Sequence, residues 1–525
     1  MSKYLYGASI QGIQSFIFQT NKLKEIVGGS ELVEEICTKM FYEFIDSDEL
    51  DENIIVSAAG NIKYVADEET CKKLVKAFPM EVMNKASGVT VSQSVIKLDA
   101  SVPLSVSISQ LEEKLKAERN KPNMPLEVGY MGLERARRTG GVAVNFKKNR
   151  KGNLEAFCES TLKKAEFLDK KPQEESKHTT LFRKVSGLTE NPKEITLEIE
   201  EICKGHKNSW IAVVHADGNG LGNIIRVMGE KLKDKNSEES KAAFRQFSQA
   251  LDKATQAAAQ SAFWTIYSKA EAFNSDNNHT VRPIICGGDD ISIIIRADLA
   301  LEFTEIFLNE FEVKTKEEFK VLEKYDIDEF KEGITACAGI AYIKESYPLH
   351  YALNLSETLC KDAKKLVKEH HLRQNGIPES AIAFYKVQES FTDKISVLKE
   401  RTLLATQQGK TLDYYYGPYL LSDMKNLQKR LSDLRKEADD SQEGSKAIGK
   451  IRRVISDSFK DFSVALFNLQ RMKTINKDFF SKLQLQNDLD TLTLLTKEDL
   501  EQIAAKSQLL DLITLHGFRY GTRHN

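Results

Sequence analysis

The chain has 525 residues, which at roughly 100–200 residues per domain predicts about three domains. Hydrophobic residues make up 41% of it, and the formal net charge of -2 excludes a dominant positive field that would hold nucleic acid by charge alone. The seven cysteines form no Cys-x-x-Cys pair, and an odd number in a long chain predicts reduced thiols. No apolar run approaches the ~18–20 residues of a membrane span. The N-terminus lacks a secretion signal, so we expect a cytoplasmic protein.

The first part of the chain, residues 1–165, has the element order of a palm-like unit. Short β-branched runs predict strands, and apolar residues at three- and four-residue spacing predict helices. In chain order these are a strand at 5–12, a helical stretch at 13–44 interrupted at Gly28-Gly29, a hairpin of strands at 53–60 and 61–66, a helix at 67–78, a strand at 89–98 and a helix near Leu111. Residues 166–208 are polar and lysine-rich, and we interpret them as a linker with a short helix near Leu197.

Residues 209–390 repeat this order more clearly. The predicted elements are a strand at 209–216, a tight Asp-Gly-Asn-Gly turn, a long helix around 244–258, strands at 281–286 and 291–296, a helix at 298–311, a strand at 334–343, a helix at 349–370 and a strand at 381–387. From residue 391 to residue 525 the strands disappear and helical spacing remains, with a charged loop at 438–446. The predicted fold class is α+β: two ferredoxin-like palm domains (β-α-β-β-α-β) followed by a C-terminal helical bundle.

Three carboxylates follow the strands of the second unit. Asp217 comes at the end of its first strand, and Asp289 and Asp290 lie in the turn between its second and third strands. The first and third strands of such a sheet are neighbours, so we expect the three side chains to converge at one edge. Carboxylates this close repel one another and favour a shared cation. Mg²⁺ or Mn²⁺ suits oxygen ligands, and two ions would suit nucleotidyl transfer.

Glycines and lysines near these carboxylates are candidate nucleotide ligands. Small residues at a helix start and in the hairpin allow backbone amides to approach phosphates closely. Lysines of the 349–370 helix lie at helical spacing and could reach a triphosphate. The candidates are Gly218, Asn219 (facing a ribose or base), Gly220, Gly222, Gly287, Gly288, Lys361, Lys364 and Lys365. Taken singly, each turn motif favours an ordinary structural turn, and the lysines are compatible with a solvated helix face. The two turn motifs at matching strand ends of one palm pattern together favour a functional site.

The motifs HADGNGLG and CGGDDISIII resemble the second palm domain of the large polymerase-cyclase subunit of type III CRISPR effector complexes. The segment ACAGIAYIKESYPLHYALNLSETLCKDAKK is also similar to that family, and GIQSFIF with LKEIVGGSELVEE resembles its first palm. The resemblance implies synthesis of cyclic oligoadenylates from ATP, with Asp217, Asp289 and Asp290 as metal ligands. It also implies that Gly29 and Ser30 lie near the acceptor nucleotide.

The chain departs from this family in two places. It contains no His-Asp dipeptide, so the family's HD nuclease chemistry is not expected, and residues 130–146 hold no cysteine for a zinc knuckle. The first palm also has no carboxylate at its hairpin, which reads Ala58-Ala59-Gly60-Asn61. This half would hold an acceptor nucleotide or serve a purely structural role.

Three hypotheses therefore stand at the level of sequence. The first is an ATP-dependent cyclic oligonucleotide synthase in antiviral defence, whose product would act on a downstream effector. The second is a GGDEF-like cyclase that uses GTP, although the turn Gly-Gly-Asp-Asp-Ile lacks that family's glutamate. The third is a catalytically silent, nucleotide-binding scaffold of an RNA-guided complex. RNA or CRISPR-complex subunits are the expected partners, a membrane is not, and a homo-oligomer is left open.

Overall fold

The computed structural model describes residues 2–48, 51–58, 60–99, 101–121, 131–148, 152–169, 180–188, 196–203, 209–268, 280–374, 376–389, 395–440, 442–497 and 503–518. Two palm sheets dominate it, and the predicted α+β class is confirmed. The division of the chain into domains at residues 165, 208 and 390 stays a prediction. None of the described helices is long and apolar enough to cross a membrane.

The first palm is a four-stranded antiparallel sheet covered by helices. Its strands are β1 (Tyr4–Gln11), β2 (Ile54–Ala58), β3 (Asn61–Ala66) and β4 (Thr90–Lys97), in the order β2-β3-β1-β4. Its helices are α1 (Ile13–Ile17), α2 (Leu23–Glu35), which continues through a π-helical turn (Ile36–Met40) into α3 (Phe41–Phe44), α4 (Glu68–Lys85) and α5 (Leu104–Arg119). Helix α4 begins where the Asp67 carboxylate accepts a hydrogen bond of 2.8 Å from the Thr70 amide. The central strand β1 is buried along most of its length.

The predicted interruption at Gly28-Gly29 is wrong, because α2 runs unbroken through both glycines. The break lies earlier, between α1 and α2. A Cβ atom on Gly28 would lie 2.1 Å from the carbonyl oxygen of Lys164, which belongs to helix α6 (Glu159–Asp169). The glycines therefore permit two helices to pack backbone to backbone, and the close approach outweighs their low helix propensity.

Short elements connect the two palms. Strands β5 (Ala143–Lys148) and β6 (Leu154–Cys158) form an antiparallel hairpin that precedes α6. Within the predicted linker lie α7 (Thr180–Ser186) and α8 (Ile199–Ile202). Helix α7 buries three apolar side chains and packs against both α2 and the second palm.

The second palm repeats the topology and adds two strands at one edge. Its strands are β7 (Trp210–Gly218), β8 (Val281–Gly287), β9 (Asp290–Arg296), β10 (Ala336–Lys344) and β11 (Ala381–Lys386). Its helices are α9 (Leu221–Lys231), α10 (Ser237–Tyr267), α11 (Ala297–Glu318), continued by a 3-10 segment (Phe319–Tyr325), α12 (Asp328–Glu332) and α13 (Leu349–His370). The sheet order is β14-β11-β10-β7-β9-β8, where β14 (Tyr419–Leu420) comes from the C-terminal part. The β-branched residues of β7, β9 and β10 are buried on both faces because helices cover the sheet.

The C-terminal part is mainly helical. Its helices are α14 (Ile395–Thr402), α15 (Leu421–Asp440), α16 (Gln442–Ser458), α17 (Phe462–Ile475), α18 (Lys477–Lys482), α19 (Gln486–Thr496) and α20 (Leu509–His516). The expectation that no strand follows residue 390 is wrong: β12 (Leu404–Gln407), β13 (Lys410–Asp413) and β15 (Ile503–Lys506) form a small sheet. Each strand has only four residues, too few for period-two alternation to stand out. The predicted charged loop at 438–446 is also wrong, because α15 extends to Asp440 and α16 begins at Gln442.

Candidate active site at the edge of the second palm

Strand pairing brings the three predicted carboxylates together. Strands β7 and β9 are antiparallel neighbours, and Asp217 lies directly opposite Asp290 in their register. Gly287 pairs with Asp290 across the β8–β9 hairpin, which leaves Gly288 and Asp289 as a two-residue turn. Gly288 has a φ of 63°, and a positive φ at the first turn position is where hairpins of type II′ place glycine.

Asp289 lies against Asp217 and the backbone next to it. A Cβ atom on Gly218 would lie 3.0 Å from the Asp289 Cβ, so the glycine leaves the space that Asp289 fills. Burial raises the pKa of Asp289 well above its ordinary value, and the hydrogen bond to Asp217 and the charges of Asp217 and Asp290 raise it further. Burial also raises the pKa of Asp290, again with help from the charge of Asp217. The cluster therefore concentrates negative charge that the protein only partly compensates.

Lys364 of α13 supplies part of that compensation. Its ammonium Nζ lies 2.6 Å from Asp217 Oδ2 and donates a hydrogen bond of 2.6 Å to the Gly218 carbonyl oxygen. Lys361 and Lys365 are exposed on the same helix. Of the three predicted lysines, the structure brings Lys364 into contact with a carboxylate of the cluster.

One carboxylate oxygen of Asp290 is available to bind a cation. Its Oδ1 is buried without a hydrogen-bond partner, although His215 Nδ1 lies 3.2 Å away. His215 is buried beneath the site with Nδ1 3.0 Å from Ser292 Oγ, and burial lowers its pKa, which favours the neutral imidazole. Three clustered carboxylates and an unpartnered buried oxygen fit a hard divalent cation. Among the described residues, however, no three His, Cys, Asp or Glu side chains are already arranged as a complete metal-ligand set.

The loop after Asp217 has a more structural role than its sequence suggests. Asn219 is buried, and its amide Nδ2 donates to Thr335 Oγ1 at 3.0 Å, so its side chain is engaged by the fold and does not present itself to a ribose or base. Gly220 has a φ of 76° and starts α9, where only glycine adopts this conformation without strain. Added Cβ atoms on Gly220 or Gly222 would meet nothing within 4 Å, so this side of the loop is open.

The predicted acceptor element, Gly29-Ser30, packs beside strand β8 of the hairpin. Ser30 is buried, and its hydroxyl donates to the Ile284 carbonyl oxygen of β8, while Gly29 packs against Lys164. A cleft of about 690 Å³ lies between the first palm and the second. Its walls include Gly12, Ser15, Ser30, Gly287, Asp290 and Asn354. This volume is within the range of small-molecule sites, about 300–1,000 Å³.

Sequence reasoning missed Glu357 and its partner Gln14 near the site. The charge of Glu357 on α13 adds to the raised pKa of Asp290, after burial and Asp217. Glu357 also accepts a hydrogen bond from Gln14 of the first palm. Because Glu357 precedes Lys364 by two helical turns, their shared helix face was the signal that could have found it.

Part of the chain is similar in sequence to a known domain family, and its fold resembles several solved structures. Residues 210–372 match the family model of the Cas10/Cmr2 second palm domain. The solved structure of Csm1 in T. onnurineus has a TM-score of 0.51 and 13% identity, and covers 98% of this chain and 70% of that chain. The Csm1-Csm4 cassette in complex with cA3 has a TM-score of 0.49 and 12% identity, with 98% and 70% coverage. The cassette with AMPPNP has a TM-score of 0.48 and 12% identity, covering 88% of this chain and 63% of that chain.

Among curated proteins, none matches the sequence of the chain. The two sheets and the carboxylate-bearing hairpin nevertheless define a protein of the palm-domain class. More particularly, residues 210–372 are similar to the Cas10/Cmr2 second palm, and the T. onnurineus Csm1 structure shares the fold of the chain.

Proposed function

We propose that the protein is a metal-dependent nucleotidyltransferase that joins ATP into a cyclic oligonucleotide and releases pyrophosphate. The observation that carries this proposal is the convergence of Asp217, Asp289 and Asp290 beside the cleft between the palms. A structural hairpin alone would have no need of two adjacent carboxylates with raised pKa values next to a third, because such repulsion lowers stability.

Asp217, Asp289 and Asp290 are the residues that would hold Mg²⁺ or Mn²⁺. Two such ions would activate a ribose hydroxyl as nucleophile and neutralise the departing pyrophosphate. The unpartnered Oδ1 of Asp290 supports this assignment, since an incoming cation would satisfy it. Bound cations would also relieve the repulsion that raises the two pKa values.

The remaining residues would bind and orient the nucleotides. Lys364 lies beside the carboxylates and carries the charge that a triphosphate requires. Gly287 and Gly288 leave the hairpin without side chains where a nucleotide would lie. Ser15 and Ser30 of the first palm also line the cleft. The hairpin of the first palm carries no carboxylate to bind a metal ion, so this wall suits an acceptor nucleotide. Positioning of this kind supplies much of the rate in phosphoryl transfer.

The similarity to the Cas10/Cmr2 second palm extends the proposal to product and setting. We assign the product to the cyclic oligoadenylates, which would act on a downstream effector in antiviral defence. RNA or CRISPR-complex subunits are the proposed partners, and the cytoplasm is the proposed location.

The test is incubation of the purified protein with ATP and Mg²⁺, with and without RNA, followed by mass spectrometry of the products. We expect a cyclic product from the wild type and none from the Asp289→Ala/Asp290→Ala variant. The matched control is Glu317→Ala/Glu318→Ala, an adjacent acidic pair at the end of α11, which should behave as the wild type. Absence of product from the wild type in every arm would contradict the proposal. A parallel arm with GTP tests the GGDEF-like alternative.

A second candidate is nucleotide binding without turnover. It is favoured by the Lys364 ammonium, which already neutralises Asp217, and by the lack of a complete metal-ligand set in the described part of the chain. Binding of ATP with micromolar affinity but no chemistry, together with RNA that co-purifies, would support this scaffold role over the enzyme.

A further inference from the structure

Helix α10 binds the tip of the carboxylate hairpin from behind. Both backbone groups of Gly288, the residue before Asp289, are engaged by side chains of this helix. The Gly288 amide donates to Asp252 Oδ1 at 3.3 Å, and the Gly288 carbonyl oxygen accepts a hydrogen bond from the Thr255 hydroxyl. Asp252 and Thr255 are three residues apart, so they lie on the same helix face.

Each side chain also makes a hydrogen-bond contact within its own helix. Thr255 is fully buried, and its hydroxyl also lies 2.9 Å from the Leu251 carbonyl oxygen within the helix. Asp252 Oδ2 accepts a hydrogen bond of 2.6 Å from Gln256. The helix has an N-cap at its start, where the Asn236 side chain accepts a hydrogen bond of 2.7 Å from the Glu239 amide. The helix therefore holds both backbone polar groups of Gly288, the first residue of the two-residue turn.

A buried ion pair lies behind the same hairpin. Lys184 of α7 has its Nζ 2.7 Å from Glu34 Oε1 of the first palm, and both side chains are largely buried. Burial lowers the pKa of Lys184, but the charges of Glu34 and Asp252 more than offset this, so its pKa lies above the ordinary value. The contact of Lys184 with Glu34 thus joins α7 to the first palm. Glu31 ties the start of α7 to the first palm by accepting the Thr180 and Leu181 amides at 2.9 Å each.

We infer that Asp252 and Thr255 are positioning residues, which fix the hairpin tip so that Asp289 and Asp290 are held at the reaction centre. The inference rests on the proposed function and deepens it. The side chains of Asp252 and Thr255 bind the Gly288 backbone and not the carboxylates, so they act through the hairpin.

The consequence is a specific kinetic signature. A turn that loses its anchor still binds nucleotide in the cleft, but its carboxylates sample positions away from the reacting phosphate. A misplacement of about 1 Å lowers turnover by about 100-fold. We therefore expect kcat to fall by about 10- to 100-fold, with KM for ATP changed by less than about threefold.

The experiment compares four variants by two readouts. The variants are Thr255→Val, which removes the hydroxyl at nearly constant volume, Thr255→Ser, which restores it, Asp252→Ala, and Asp252→Asn, which keeps an acceptor for the Gly288 amide. The matched control is Thr304→Val on α11, because Thr304 is equally buried and makes the same bond to the carbonyl oxygen four residues earlier. The readouts are steady-state kcat and KM, and hydrogen exchange of the hairpin amides from Ile285 to Asp290.

We expect Thr255→Val and Asp252→Ala to speed exchange of the hairpin amides by at least about tenfold and to lower kcat as stated. Ser and Asn at the same positions should restore most of both, and Thr304→Val should change neither. Unchanged exchange in Thr255→Val and Asp252→Ala would overturn the inference, as would faster exchange with wild-type kcat.

Failure of the proposed function is distinguishable from failure of this inference, because the wild type itself would then form no product. In that case the positioning inference is decided by the hydrogen-exchange arm together with Mn²⁺ binding, measured with the metal alone. Faster hairpin exchange with weaker Mn²⁺ binding in Thr255→Val supports it, and wild-type values for either overturn it.

Discussion

Replacement of Gly339 by alanine tests how closely α13 must pack on the palm sheet. Gly339 lies on β10, and a Cβ atom there would lie 1.9 Å from the Ser356 carbonyl oxygen and 2.6 Å from the Cys360 amide nitrogen. Both atoms belong to the α13 backbone, so no side-chain rotation relieves the clash. Because real Cβ contacts are essentially never under 3.0 Å, the helix must move outward by about 1 Å.

The expected cost follows from this displacement. Overpacking of a core costs about 1–3 kcal/mol, and a backbone clash belongs at the upper end. Alanine regains about 0.5–1 kcal/mol of backbone entropy, so the net loss is about 2 kcal/mol. For a domain of this size, such a loss lowers the melting temperature by roughly 4–8 °C. Since α13 carries Lys364 to Asp217, turnover should fall as well.

Thermal unfolding followed by circular dichroism measures the loss, and hydrogen exchange of α13 peptides locates it. Gly449→Ala is the matched control, because Gly449 lies inside α16 with nothing within 4 Å of an added Cβ. The same substitution should there stabilise the protein by up to about 1 kcal/mol through helix propensity. If Gly339→Ala were as stable as the wild type, the close packing of α13 on β10 would be refuted.

Three further predictions concern charge and thiols. Asp289→Asn/Asp290→Asn should raise the melting temperature at pH 7. The raised pKa of each aspartate in the folded state means that the wild type loses stability as pH rises, and asparagine removes this loss. The gain in melting temperature should therefore shrink towards pH 4, and a gain that grew would contradict the account. Lys184→Met should cost about 3–5 kcal/mol in urea denaturation by leaving Glu34 buried and unpaired, and Glu34→Leu in the same chain should recover most of it. Burial raises the pKa of Cys37 to about 12, so mass spectrometry should find it unalkylated by iodoacetamide in the native protein at pH 8, and rapid alkylation would count against the core as described.

The sequence was sufficient for the second palm because its strands are buried β-branched runs that alternate with helices of clear spacing, and a short turn joins β8 to β9. Antiparallel topology then placed Asp217 beside Asp290 without any knowledge of side-chain contacts. Helical spacing also proposed Lys364 together with Lys361 and Lys365, and the structure brings Lys364 into contact with Asp217. These predictions depend on local periodicity, which the chain displays directly.

Other features depend on long-range packing and were not predictable in the same way. Gly28 was interpreted as a helix break because the approach of Lys164, more than a hundred residues away, leaves no local signal. Asn219 was expected to face a ligand, whereas its side-chain amide donates a hydrogen bond to Thr335, which is distant in sequence and directly precedes β10. The support of the hairpin by Asp252 and Thr255 likewise appears only when α10 is placed behind the turn.

The most direct measurement of the central claim is Mn²⁺ binding, followed by electron paramagnetic resonance, in the presence of a non-hydrolysable ATP analogue. The account predicts saturable binding by the wild type and a loss of at least about tenfold in affinity for Asp217→Asn, since that variant keeps the shape of the site and removes one charged ligand. Equal Mn²⁺ affinity in the wild type and Asp217→Asn would show that the three carboxylates do not share a cation. The catalytic interpretation would then be wrong.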